Sequence, residues 1–447
     1  MQEIAKKIEK NSRYILPAVL FLILLLYGQS IFFKLVLLDD DEIVLSYNPA
    51  HSALEKIIQP FGNSYLKGHY YRPLTNLSYL LDSAASGRNP SAFHISNIII
   101  HILTVIALYY LLMQIGYAKV TILPPILLFA LSPLQLNAVG WIAGRADLLA
   151  CLFSLLMFTL FLKFRENSKP GYILLFFLFM FSAFISKENT IITPFLVIIF
   201  SPLMVNKPDS DKRHIPLSII IIAITIIFLL IKTILSGSQD IGRISISNLN
   251  SLWIIPETAA KFFIPAGIKT LSDYSPALTI TGLILLMLLF IIPLRIKEIN
   301  KRKYYFGFIW FIVLMLPGII IDTKIFNEFY YWDCRSYLSS AGLIIMSSEI
   351  IGALFKKYSM NRIIKLSAPY FLIIFIASFY YLGDYANPLS FWNDTVNNYP
   401  ERYLPNAALY KYYTMTDNFD KAEYYRIRAI KYSPDIKKPD STAAPGQ

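Results

Sequence analysis

The chain has 447 residues, 55% of them hydrophobic and 16% charged, with a formal net charge of +12. Recurrent apolar runs of roughly 20 residues place it among polytopic membrane proteins and exclude a soluble globular fold. Its Lys and Arg stand in short clusters between those runs, the pattern that fixes membrane orientation, so the positive charge does not point to nucleic acid.

The chain begins with Lys6, Lys7, Lys10 and Arg13 ahead of an apolar segment that reaches Phe33. That segment is too long for a signal-peptide core and lacks a small-residue cleavage site, so it reads as a retained first span. Spans are predicted at 14–33, 93–115, 120–136, 148–162, 172–185, 190–205, 215–235, 277–294, 304–321, 338–355 and 366–382. In this scheme Lys119, Lys163, Arg165, Lys169, Lys207, Lys212, Arg213, Arg295, Lys297, Lys301, Arg302, Lys303, Lys356, Lys357, Arg362 and Lys365 share the side of the N-terminus. That side is then cytoplasmic and the C-terminus lies outside. Segment 251–265, with Trp253, Phe262 and Phe263, is short, apolar and bounded by Pro256 and Pro265. It reads as an interfacial or half-inserted helix on the outer side. Cys151 and Cys334 offer neither a disulfide framework nor metal-ligand spacing.

Polar residues sort by side. The inner loops are short and basic, whereas the outer connections 39–92, 140–147, 186–189, 237–276 and 322–337 mix acids, bases and aromatics. The first of these opens with Leu38-Asp39-Asp40-Asp41-Glu42, and four carboxylates at a membrane edge are costly enough to mark a functional site. Leu54, Ile57 and Ile58 at helical spacing, then Tyr65, Tyr70 and Tyr71, suit short helices lying in the interface. His94, Asn97 and His101 share one helical stripe; ligands two full turns apart chelate poorly, so the stripe reads as packed polar side chains.

Several blocks then recur in order: Leu38-Asp39-Asp40-Asp41 with Asn48-Pro49, Tyr71-Arg72-Pro73-Leu74, Gly87, Asn89-Pro90, Phe93-His94, Gly144-Arg145-Ala146-Asp147, and Lys187-Glu188. Together they resemble the TMTC-type (transmembrane and tetratricopeptide repeat) membrane glycosyltransferases of the GT-C class, relatives of the protein O-mannosyltransferases. Asp333 with Arg335-Ser336-Tyr337-Leu338 is similar to the acidic-Arg-Tyr-Leu-Pro-Ser motif of bacterial members. The chain departs from that pattern at Gln135 and Asn137, where a His and a Glu are usual, at Ser339 in place of Pro, and at Asp333 in place of Glu.

The resemblance implies an all-α, GT-C-like membrane protein of about 11 transmembrane helices, with residues 1–384 forming the membrane domain. It also implies an extracytoplasmic active site in the cytoplasmic membrane, fed through the bilayer by a polyprenyl-phosphate-linked sugar, with mannose expected. The acceptor would be a protein Ser or Thr or a surface glycan, and transfer is expected to invert the anomeric centre. Such transfer needs a carboxylate base for the acceptor hydroxyl and fixed positive charge for the departing phosphate. Asp40 and Asp41 match the family's acidic pair, Asp40 being the expected base. Arg72, Arg145, Lys187 and Arg335 are the expected phosphate ligands; the alternative is anchoring at headgroups or local pairing with Asp147, Glu188 or Asp333. Asp39, Tyr71, His94, Asp147, Glu188, Asp333 and Tyr337 form the supporting set, Trp332 reads as a member of the interfacial aromatic belt, and a divalent cation such as Mg or Mn is left open.

Residues 385–436 leave the membrane. Helix 389–399 precedes a single tetratricopeptide-like unit with Leu409, Tyr413, Ala422, Ala429 and Pro434 at matching spacing, and 437–447 reads as disordered. One repeat cannot bury its own face, so it should lean on the preceding helix or the outer loops. The competing readings are a lipid-linked glycan transporter and a non-catalytic scaffold. Spans 215–235 and 277–294, almost free of charge, argue against the transporter, and the scaffold leaves the acidic run unexplained.

Overall fold

A computed structural model describes residues 15–45, 53–62, 70–203, 214–236, 251–320, 324–325 and 328–433. The basic N-terminus, Asn48-Pro49, Tyr65, the cluster Lys207, Lys212 and Arg213, Pro434 and the tail 437–447 lie outside these residues.

The described chain is helical almost throughout. In order the helices are α1 (Ile15–Tyr27), α2 (Asp39–Leu45), α3 (Ala53–Gly62), α4 (Pro73–Ser86), α5 (Pro90–Ile115), α6 (Lys119–Leu131), α7 (Leu136–Gly140), α8 (Arg145–Asn167), α9 (Pro170–Ser186) and α10 (Thr193–Phe200). There follow α11 (His214–Ser236), α12 (Ile254–Phe263), α13 (Pro276–Arg295), α14 (Lys301–Ile320), α15 (Tyr337–Lys357), α16 (Met360–Leu382), α17 (Pro388–Asn398), α18 (Tyr403–Met415) and α19 (Phe419–Lys431). Among the described residues the only sheet is an antiparallel pair of two-residue strands, Lys324–Ile325 and Glu328–Phe329.

Local chemistry sets the helix ends. Proline opens α4, α5, α9, α13 and α17, where its missing N–H is no loss. Gly116, at φ 100°, closes α5 in the left-handed cap that glycine adopts without strain. Ser132-Pro133 interrupts the third apolar run, because Pro133 cannot donate the bond that would carry α6 onward, and the halves meet at 47°.

In their described residues the eleven predicted apolar runs are mostly helical. Six helices are long and apolar enough to cross a membrane, seven if the bent α6–α7 pair is one span, and 16–32, 170–186 and 188–200 are shorter apolar helices. Burial divides the long ones into two layers. The spans built on α5, α8 and α15 bury 56%, 72% and 72% of their apolar windows, while those of α11, α13 and α16 bury 22%, 17% and 17%. The first three therefore form the core, and the second three present Ile220, Leu283 and Ile376 outward as a lipid-facing layer. Helices α14 and α15 cross so closely that a Cβ on Gly307 would lie 2.6 Å from the Gly342 carbonyl, the small-residue contact by which membrane helices gain packing.

Two expectations change here. Of the two readings of segment 251–265 the one of a helix lying in the interface fails: Ile254 to Phe262 are all buried, since α12 lies against α13 at a point where any side chain on Gly282 would strike the Pro256 carbonyl. Trp332 is likewise no belt residue; it is buried and stacks on Trp141 with ring centroids 4.9 Å apart.

The C-terminal helices sit on the end of the bundle that carries Asp39. Helices α18 and α19 form an antiparallel pair with Leu409, Tyr413, Ala422 and Ala429 buried between them and Tyr413 stacked on Tyr425. Helix α17, closed by an Asn387–Ser390 capping box, wedges beneath this hairpin. Its Trp392 indole donates to the Val36 carbonyl at 2.7 Å, the Lys34 amide donates to Ala386, and Arg402 pairs with Asp273.

Candidate active site

The stretch 33–38 leaves α1 extended and turns at Leu37, whose φ of 61° is left-handed. That conformation costs a non-glycine residue about 1–2 kcal/mol, so something must hold it. The Asp40 carboxylate does, accepting the Val36 amide at 2.6 Å and the Leu38 amide at 3.0 Å on either side of the bend, and the Asp41 amide at 3.1 Å. Asp40 is 1% exposed. Burial raises its pKa to about 6 against the pull of the Val36 and Leu38 amides, with Asp41 and Asp39 adding to the rise.

Its neighbours point elsewhere. Ile43 and Val44 anchor α2 on Tyr79, Phe93 and Ile142. Asp41 reaches Lys411 of α18 at 3.2 Å. Asp39 is exposed to solvent, yet the protein around it, reinforced by Glu42, raises its pKa to about 6, while Arg72 and Arg335 pull it down. Among the described residues no three His, Cys, Asp or Glu side chains converge to hold a metal ion.

The four expected phosphate ligands separate into three environments. Arg145 is fully buried beneath the site. Its guanidinium pairs with Asp82 at 2.5 Å, donates to Asn97 Oδ1 and the Phe93 carbonyl at 2.8 Å each, and lies over the Tyr79 ring. It clamps α4, α5 and α8 together. Arg72 and Lys187 are held in ion pairs between segments distant in sequence: Arg72 forks onto Glu188 at 2.7 and 3.0 Å, and Lys187 meets both Asp147 oxygens at 2.6 Å. Arg335 differs. It is half-buried, donates to the Gly318 carbonyl at 2.9 Å, and has no acid in bonding range among the described residues.

The remaining candidates sit in the walls. Tyr71 is buried, with its hydroxyl on the Phe61 carbonyl. Tyr337 is buried against His101, hydroxyl to Nδ1 at 2.6 Å, which ties α15 to α5. Of the polar stripe on α5, Asn97 and His101 are bonded, whereas neither ring nitrogen of the buried His94 finds a partner among the described residues.

With this geometry in place the comparisons are specific. Protein O-mannosyl-transferase TMTC1 of Mus musculus is 35% identical over 156 residues, covering 32% of this chain and 16% of the relative. TMTC4 of Homo sapiens is 34% identical over 158 residues, covering 31% and 21%, and Tmtc1 of Drosophila melanogaster is 30% identical over 146 residues, covering 32% and 17%. The proteins it is similar to include several TMTC protein O-mannosyl-transferases. The chain matches less than a quarter of the length of each of these TMTC relatives. No family model matches it.

The departures from the TMTC-type pattern fall on interior positions. Gln135 donates to Ser340 at 3.1 Å. Asn137 donates to the Tyr385 hydroxyl and accepts the Cys334 amide, both at 3.1 Å. Sequence reasoning missed Asp82, the counter-charge of Arg145, and Lys261, the counter-charge of Asp333 at 3.1 Å. For Lys261 a signal existed: Glu257 and Lys261 are an i, i+4 charge pair on an otherwise apolar ten-residue helix.

Proposed function

We propose that this chain is a membrane glycosyltransferase that moves a sugar, expected to be mannose, from a polyprenyl-phosphate donor to a hydroxyl of a protein or surface glycan at the extracytoplasmic face of the cytoplasmic membrane. The observation that carries this reading is the solvent-reachable Asp39 set among Arg72 and Arg335 at one end of a helical membrane bundle, in a chain with protein O-mannosyl-transferases among its relatives.

The chemistry distributes over these residues as follows. The Asp39 carboxylate takes the acceptor hydroxyl's proton as that oxygen attacks the anomeric carbon from the face opposite the phosphate. The bond between anomeric carbon and phosphate oxygen breaks, and the electron pair leaves on polyprenyl phosphate. Arg335, which has no acid in bonding range among the described residues, meets that charge with a planar fork, and Arg72 adds to it from its pair with Glu188. Asp40 takes the role of holding the bend that presents Asp39, in place of the base role expected for it. The hairpin α18–α19 serves as a single tetratricopeptide-like unit beside the acidic helix, where acceptors dock.

The test is transfer of radiolabelled mannose from synthetic polyprenyl-phosphate mannose by the purified full chain, comparing wild type with Asp39→Asn and Asp40→Asn. Asp39→Asn should lower turnover by about 10²–10⁴-fold, the usual worth of a general base, at unchanged melting temperature. Wild-type protein that releases no polyprenyl phosphate from any lipid-linked sugar, or an Asp39→Asn variant as fast as wild type, would overturn the reading.

A further inference from the structure

Beneath the turn that carries Arg335 lies a buried charged network that the proposed chemistry does not use. Lys261 of α12 places its Nζ 3.1 Å from both Asp333 oxygens and 2.7 Å from Ser272 Oγ, and Ser272 Oγ donates to Asp333 Oδ2 at 2.9 Å. The three residues are 3%, 4% and 3% exposed. A buried ion pair is a poor source of stability, because the desolvation of both charges offsets much of their attraction. What it supplies is fixed geometry.

The same turn, Asp333–Ser336, is gripped from other directions. Asn137 accepts the Cys334 amide at 3.1 Å. Ser272 and Tyr331 exchange backbone bonds at 2.8 and 3.2 Å, so the segment before the turn is bridged to the loop that supplies Ser272. Asp333, Cys334 and Ser336 are all buried, and Arg335 is the one residue of the turn whose side chain emerges. Beyond its bond to Gly318 nothing within the turn dictates where its guanidinium goes. The direction of Arg335 therefore follows from the orientation of the turn, which Asp333 helps to set together with the Asn137 and Tyr331 contacts.

We infer that Lys261 is a positioning residue for Arg335: through the Lys261–Asp333–Ser272 network it fixes the guanidinium opposite Asp39, where an anionic phosphate binds. This rests on the glycosyltransferase reading for the identity of the anion, but not for the coupling itself. Lys261 touches no substrate. Its effect reaches the site only through Arg335.

Two measurements on the purified full chain separate the coupling from the reading on which it rests. Amide hydrogen exchange over 331–336, with no ligand present, should accelerate at least about tenfold in Lys261→Met and return to the wild-type rate in Lys261→Arg, with the rest of the bundle unchanged. Affinity for synthetic polyprenyl phosphate should fall about tenfold in Lys261→Met, yet Lys261→Met added to Arg335→Met should cost less than about twofold, since a residue acting only through Arg335 has nothing left to act on. Unchanged exchange at the turn, or an equal affinity loss in both backgrounds, overturns the inference. Faster exchange with an Arg335→Met variant that still binds polyprenyl phosphate like wild type leaves the positioning intact and refutes the phosphate reading instead. Should Lys261→Met not fold, Ser272→Ala removes one contact of the network at little change in volume and enters the same comparison.

Discussion

The two ends of the bundle use the same residue types to opposite effect. At the end away from Asp39, Lys119, Lys169, Arg295, Lys297, Lys301, Arg302, Lys356, Lys357, Arg362 and Lys365 are all exposed. At the Asp39 end, Arg145, Lys187 and Lys261 are buried, Arg72 is nearly so, and each is matched to a carboxylate from a distant segment. Charge of the first kind is solvated, so each of its members contributes little on its own. Charge of the second kind acts individually. Removing one partner strands the other in a low-dielectric interior.

That contrast breaks most visibly at Arg145. Arg145→Met leaves Asp82 without its counter-charge and removes two hydrogen bonds at 2.8 Å, and should cost about 3–5 kcal/mol, read as a large drop in melting temperature in detergent. Arg72→Met should destabilise by a smaller margin, because Arg72 and Glu188 keep 12% of their side chains exposed and water relieves part of the loss. Asp40 sharpens the comparison through pH. Its folded pKa of about 6 lies above the unfolded value of about 3.9, so the folded chain holds the proton more tightly. The associated stability is complete below about pH 4 and is lost as pH rises through 6, on the order of 3 kcal/mol. Melting curves at pH 4 and pH 7 should differ less in Asp40→Asn than in wild type.

In the transfer assay, the pKa of about 6 at Asp39 predicts an acidic limb in kcat/KM near pH 6, because the protonated carboxyl cannot accept the hydroxyl's proton. Asp39→Asn should remove that limb along with most of the rate. The smallest effects belong to exposed charges: Lys411→Ala, which cuts the exposed link to Asp41, and Lys356→Gln should each move stability by less than about 1 kcal/mol. A large loss from Lys356→Gln would erase the distinction between the two ends.

Much of the helical framework was legible because it depends on local pattern. Apolar runs of membrane length, prolines at helix starts and Gly116 at a helix end each act within a few residues, and the described parts of those runs are mostly helical, six of them long enough to cross a membrane. The site was legible in its parts and not in its pairing. That Arg72 meets Glu188 and that Lys261 meets Asp333 are facts of tertiary packing across 116 and 72 residues, which no periodicity encodes. The neighbouring aspartates show the limit most sharply. Asp39 and Asp40 have identical chemistry and adjacent positions, yet the bend at Leu37 turns one into the wall and leaves the other open. Segment 251–265 misled for a related reason: its composition suits the membrane interface, and only the absence of a side chain at Gly282 lets α12 sink inside.

The indole of Trp392 on the carbonyl of Val36 ties the site to the order in which the chain is made. A ribosome delivers Asp39 early, and the membrane helices that follow can insert one after another. The bend at Leu37 stays unbraced by α17 until residue 392 has been synthesised and carried to the same side. Nascent chains therefore pass through an interval in which the acidic helix already has its contacts with Tyr79, Phe93 and Ile142 while the stretch before it lacks the Trp392 brace, and a chain halted before α17 would hold that bend by its local bonds alone.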